Sequence, residues 1–179
     1  VGSGSLFSNT SASNNTALGK DALYANTTGT RNTGIGFASG FSTTTAARNT
    51  SVGAYSLYTN TTGDRNQAFG NQALYYNTTG QYNTAVGYAT LGNNTTASNN
   101  TGLGYSALAA NTTATNATAV GANALDHNTT GPNNTAVGRN ALTANTTGGY
   151  NDAFGVSSLY VATTGTNNAA FGHSALDSL

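Results

Sequence analysis

Large apolar residues do not cluster along this chain of 179 residues; they return at a fixed interval of seventeen. A frame opened at Asn15 recurs at Asn32, Asn49, Asn66, Asn83, Asn100, Ala117, Asn134, Asn151 and Asn168 with no insertion or deletion. The consensus is N-T-A-V-G-x-x-A-L-Y-x-N-T-T-G-x-N, and the chain holds about ten and a half copies. Such strict periodicity makes 1–179 a single repeat domain.

The seventeen places differ sharply in what they accept. The fifth is glycine in every copy, including Gly19, Gly36, Gly53, Gly70, Gly87, Gly104, Gly121 and Gly138. A side chain is excluded there, either by a positive φ or by a second backbone passing close. The fourth is always large and apolar, as at Leu18, Ile35, Val52, Phe69, Val86, Leu103, Val120 and Val137, and is read as buried. The ninth is Leu in all copies but one, through Leu23, Leu57, Leu74, Leu91, Leu108, Leu125 and Leu142, and forms a second buried column. Gly40 interrupts it, and Phe41, next in the chain, is expected to fill the gap. The third and eighth places hold only small residues, as expected where two layers approach closely, whereas the tenth varies and is read as facing solvent.

Seventeen residues are too few for a pair of packed helices, and the apolar places do not follow helical spacing. Two extended pieces are predicted in each repeat, T-A-V-G at places two to five and A-L-Y at eight to ten, joined by a short corner and the turn-forming N-T-T-G-x-N. The fold class is therefore all-β: a β-solenoid in which each repeat is one coil. At the ~4.8 Å strand spacing the stack is a rod of roughly 50 Å, with like side chains in ladders and asparagine amides able to hydrogen-bond along their column.

One coil buries few large groups. Two such side chains, at ~1.5 to 3 kcal/mol each, offset only part of the cost of ordering seventeen residues. If one apolar column packs inside its own coil and the other packs against neighbouring chains around a shared axis, the deficit closes. The expected assembly is a parallel homotrimer.

Composition sharpens this picture. The 27 Leu, Val, Ile and Phe residues are about 15% of the chain, below the ~20% of ordinary cores, yet 10 Tyr, 6 Phe and zero net charge do not suit disorder. Five Lys/Arg balance five acidic residues, too sparse a field for nucleic acid. No apolar run approaches the ~18 residues a membrane span needs, so no membrane insertion is expected in this segment. With Cys 0 the chain has no disulfide or thiolate site.

The motif N-T-A-V-G-x-x-A-L-x-x-N-T-T-G, clearest at Asn134 to Gly148, resembles the repeats of bacterial and phage tail-fibre surface proteins. It is similar, more distantly, to the head repeats of trimeric autotransporter adhesins, although a period of seventeen is longer than theirs. The resemblance covers essentially the whole chain. It implies a left-handed parallel β-roll, trimeric, serving as the shaft or head of an extracellular fibre on a cell surface or virion.

Candidate chemistry is sparse. Asp21, Asp64, Asp126, Asp152 and Asp177 do not form one column; Asp126 and Asp177 share a place but lie three coils apart, roughly 14 Å, too far for a catalytic pair. No enzyme activity, cofactor or metal is expected, and His127 and His173 are read as solvated. Arg31, Arg48 and Arg65 make a short basic stripe that discourages lateral strand pairing. The N-T-T triplets at Asn26, Asn60, Asn77, Asn94, Asn111, Asn128 and Asn145 match the N-glycosylation pattern, a by-product of copying one turn. Thr61, Thr78, Thr95, Thr112, Thr129 and Thr146 form a ladder that is a possible binding surface for ice, and Tyr24, Tyr58 and Tyr75 a weak stripe for sugar. Adjacent threonines in a strand point to opposite sides, so holding a turn is the simpler role for that pair.

The expected function is structural: a rigid rod segment of a longer fibre whose partner is itself, as a homotrimer or end to end in a filament, with a host-surface glycan or receptor as a further partner. The alternative is a ligand-binding solenoid that recognises ice or glycans through its Thr, Asn and Tyr ladders.

Overall fold

A computed structural model describes residues 2–177 and places one short strand in every coil, from β1 (Thr16–Leu18) to β10 (Ala169–Phe171). The ten strands form one parallel sheet in chain order. Their register is uniform: Phe69 lies beside Val86, Val86 beside Leu103, Leu103 beside Val120. The seventeen-residue repeat is therefore one circuit of a β-solenoid, and the described residues contain no helix. Val1, the first member of the fourth column, lies outside the described residues.

The second predicted strand is absent. Places six to ten form turns, and the backbone there alternates into the left-handed region at places seven and nine. Every leucine of the ninth column has φ between 49° and 55°. That conformation costs a non-glycine residue on the order of 1 kcal/mol, and two gains offset it. The Leu91 N–H donates to the Ala107 carbonyl of the next coil at 3.0 Å, and the Leu91 side chain is completely buried. The same holds for the other leucines from Leu23 to Leu159, which are the axial core of the rod, while Leu6 and Leu176 at its ends are more open.

The core is thin because small residues face the leucines. Ala68, Ala85, Ala119, Ala136 and Ala153 at the third place, and Ala73, Ala107, Ala124 and Ala141 at the eighth, are fully buried. Their volumes compensate: where Gly102 stands at the third place, Thr90 stands at the facing eighth place, its Cγ2 2.6 Å from where a Cβ on Gly102 would sit. The Gly40 interruption is resolved otherwise than the sequence suggests. Phe41 does not fill the gap but stacks outside between Tyr24 and Tyr58. The Leu23 side chain crowds Gly40 instead, and Ser39 Oγ donates to the Ser51 carbonyl at 2.7 Å beside it, with Ser56 Oγ 3.1 Å away.

Fifth-place glycine satisfies both readings of its column. Gly121 has φ 130°, and a Cβ there would lie 2.7 Å from the Gly138 backbone of the coil above. At Gly172, which has no described coil above it, a Cβ would meet nothing within 4 Å, so the close approach is coil on coil.

Two buried asparagine ladders bind the coils. At the twelfth place, Nδ2 of Asn77 donates to Asn60 Oδ1 at 2.8 Å, Asn94 to Asn77 at 2.7 Å and Asn111 to Asn94 at 2.9 Å. Each also donates to the carbonyl three residues on, as Asn77 to Gly80 at 3.1 Å. At the first place, Asn83 Oδ1 accepts the Asn100 backbone N–H at 3.0 Å, while Asn83 Nδ2 donates to the Ala97 carbonyl at 2.9 Å. Among the described residues, two buried side-chain atoms lack a hydrogen-bond partner, Asn26 Oδ1 and Asn145 Oδ1. Both sit where the next rung of the twelfth column is not Asn but Thr43 or Ala162. We predict that Ala162→Asn, by supplying Asn145 with its missing donor, stabilises the chain by about 1 kcal/mol; the thermal midpoint followed by circular dichroism rises, and a fall contradicts the ladder's role.

Candidate binding surface

Strand alternation decides what each column presents. Third-place alanine points into the coil, so the fourth-place residue points out. Val52, Val86, Val120 and Val137, read from the sequence as buried, are only half-buried in the chain, and Leu18, Phe69 and Leu103 are exposed, Leu103 to 46%. The correction is specific: the leucine column packs inside the coil, whereas the fourth column is an apolar ridge along the outer face of the sheet. The glycine column, Gly19 through Gly138, lies beside it as a backbone seam.

The threonine ladder is mostly spent on structure. Thr61 Oγ1 donates to the Thr78 carbonyl at 3.1 Å, Thr78 to Thr95 at 3.0 Å, Thr95 to Thr112 at 3.1 Å, Thr112 to Thr129 at 3.1 Å and Thr129 to Thr146 at 3.0 Å. These side chains are partly buried, and their hydroxyl protons point along the stack. The exposed row is the fourteenth place, Thr62, Thr79, Thr96, Thr113, Thr130 and Thr147. The N-T-T asparagines are fully buried with Nδ2 engaged, so no glycan can occupy them in the folded coil.

The tenth column carries the one extended feature that sequence reading underrated. Phe7, Tyr24, Phe41, Tyr58 and Tyr75 come from successive coils and stack nearly parallel, with centroids 5.0, 5.0, 5.2 and 5.1 Å apart. Phe41, expected from the sequence to fill the gap at Gly40, is instead a rung of this stripe. Tyr55 and Tyr76 flank it edge-on, Tyr76 with its centroid 4.6 Å from Tyr75. Desolvation, and secondarily the neighbouring phenols, push the Tyr75 hydroxyl above the ordinary phenol range. The column then switches to Gly92 and Ala109, leaving a cavity of about 250 Å³.

Charged groups are scattered. Arg31, Arg48 and Arg65 all have φ near 60° at the seventeenth place and are exposed. Arg65 stacks over the Tyr82 ring 5.0 Å from its centroid and donates to its hydroxyl. Asp126 is half-buried; desolvation raises its carboxyl above the usual range and neighbouring His127 partly opposes this. His127 Nδ1 lies 2.9 Å from the Thr143 carbonyl. Among the described residues no three His or acidic side chains gather as for a metal ion.

Comparison with protein families, with characterised proteins and with solved structures finds no match to this chain.

The two threonine rows separate by mutation. Thr112→Val removes a rung of the hydroxyl ladder and is expected to cost about 1 kcal/mol in denaturant unfolding, whereas Thr113→Val, which alters an exposed side chain, changes stability by less than about 0.5 kcal/mol. Equal effects would show that the thirteenth-place hydroxyls do not hold the coils.

Proposed function

We propose that this chain is a structural element of an extracellular fibre, a rigid solenoid that associates through its outer apolar ridge into a parallel homotrimer. The observation carrying this reading is the fourth column: a large apolar residue at every coil, aligned in register and turned out of its own coil. Monomeric soluble proteins seldom expose contiguous apolar strips of such length. Parallel copies related by a threefold axis offer each ridge an identical ridge, and a periodicity without slips keeps the copies in step over the whole rod. Such packing supplies the burial a thin coil lacks.

The reading gives the molecule a geometric mechanism. Each repeat adds a fixed rise, and rod length follows repeat number. Zero net charge and an Asn/Thr-rich exterior leave little for non-specific ionic adhesion, which suits a shaft projecting from a cell or virion. The likeness of N-T-A-V-G-x-x-A-L-x-x-N-T-T-G to tail-fibre and adhesin-head repeats points the same way.

Mass measured by light scattering tests it. The chain is expected to run at three times its own mass at micromolar concentration. Val86→Asp with Leu103→Asp, which places charge on the ridge but not inside the coil, is expected to reduce the mass to that of a monomer. A wild-type monomer, or a trimer indifferent to both substitutions, overturns the proposal.

A further inference from the structure

We propose that the end of the aromatic ladder is a binding site for one ring of a neutral saccharide, which takes the place of the missing sixth rung on the open face of Tyr75. This goes beyond the fibre reading and does not rest on it, since the tenth column lies outside the fourth-place ridge.

The ladder sets the geometry. Five rings follow one another at 5.0 to 5.2 Å, so each coil supplies a rung at the strand repeat. At the sixth coil the rung is Gly92 and at the seventh Ala109, so two consecutive places in the column lack a ring. Two missing rungs clear roughly 10 Å along the rod, enough for one ring lying parallel to Tyr75. The cavity of about 250 Å³ lies just below the ~300 Å³ at which pockets for drug-sized molecules begin. Its size fits a single ring.

The walls identify the ligand class. Tyr75, the last ring of the stack, closes one end, Gly92 and Ala109 form a floor without side-chain bulk, and Tyr76 stands at 75° to Tyr75 to make an aromatic corner. Gln72 and Asn93 supply amides on the rim, and neither side chain hydrogen-bonds within the described residues. Each amide offers both a carbonyl acceptor and two N–H donors. A pyranose has what such walls require: an apolar face of C–H groups to lie on an aromatic ring and a rim of hydroxyls that both donate and accept. A wholly apolar ring would leave the two amides unmatched, and no charged side chain lines the slot to select an ionic ligand.

Loss of the ring is also what makes the test clean. Gly92 has no left-handed φ, and the same turn carries Tyr or Phe in the five preceding coils; a Cβ there would lie 3.0 Å from the Ala89 carbonyl oxygen, so Gly92→Tyr extends the ladder and fills the slot with a shift of a few tenths of an ångström in that turn. The assembled wild-type protein is titrated with cellotetraose, maltotetraose, mannotetraose and chitotetraose by isothermal calorimetry and by tyrosine emission, which the absence of Trp leaves unobscured. At least one is expected to bind with one site per chain. Tyr75→Ala and Gly92→Tyr are each expected to weaken it at least tenfold, with the melting temperature of Gly92→Tyr not below wild type, while Tyr150→Ala, an exposed tyrosine elsewhere, leaves it unchanged. Failure of all four sugars to bind, or binding that survives Gly92→Tyr, overturns the proposal. N-acetyltyrosinamide binding in the slot more tightly than every sugar also overturns it, and assigns the site to an aromatic peptide side chain.

Discussion

Each coil of this protein satisfies its polar groups through the coils above and below it, and this dependence governs everything else about the fold. A single circuit has a three-residue strand, a leucine, a few methyl groups and two asparagines inside. The asparagines make the dependence explicit. The Gly80 carbonyl accepts from Asn77 at 3.1 Å and from Asn66 at 2.8 Å, while Asn77 reaches down to Asn60 and is reached from above by Asn94. Buried amides of this kind are costly unless every donor and acceptor is matched. Matching them demands an identical neighbour in register, so a slipped or unequal coil is penalised at two positions at once. The absence of insertions over ten repeats follows from this.

The same constraint explains how a chain with so few large apolar residues is ordered. Hydrogen bonds that run from coil to coil replace a wide core, and the leucine column excludes water from the axis. The cost appears in the backbone: places seven, nine and seventeen adopt left-handed conformations in residues other than glycine. That strain recurs in each coil because the inter-coil bonds that fix it recur as well.

Much of this was legible in the sequence, and what was not has a common cause. Repetition reveals which places are constrained, so the seventeen-residue circuit, the glycine seam, the leucine axis and the small third and eighth places all follow from it. Repetition does not reveal which way a side chain points. Val86 and Leu91 look equally buried in the sequence, yet strand alternation turns one outward, and the left-handed turn that carries Leu91 inward is one that leucine's own preferences argue against. Stacking of asparagine amides along a column follows from the repeat as well; that these amides are buried, and also donate to carbonyls of the turn, does not, because an Asn in N-T-T-G-x-N looks like an exposed turn former. At the candidate binding surface, assigning Phe41 to the gap at Gly40 divided an aromatic ladder that is continuous in space. The cavity beside Tyr75 is legible only in space, because it consists of a side chain the repeat omits at Gly92.

The outer surface divides by column accordingly. The strand face carries an apolar ridge suited to another copy of the chain, the turn face carries stacked rings ending at a gap, and the threonine row between them holds the coils together. The apolar ridge and the stacked rings thus occupy separate columns of one repeat, the fourth and the tenth.

The chain advances by one strand spacing for each seventeen residues, and paired spin labels measure that advance directly. The chain has no native cysteine, and Thr28, Thr113 and Thr164 are exposed fourteenth-place residues five and eight coils apart from the first. Labels at Thr28→Cys with Thr113→Cys, and at Thr28→Cys with Thr164→Cys, diluted into unlabelled chain, should give narrow distance distributions near ~24 and ~38 Å. Broad distributions, or a separation that does not grow in proportion to the number of coils, would contradict the account.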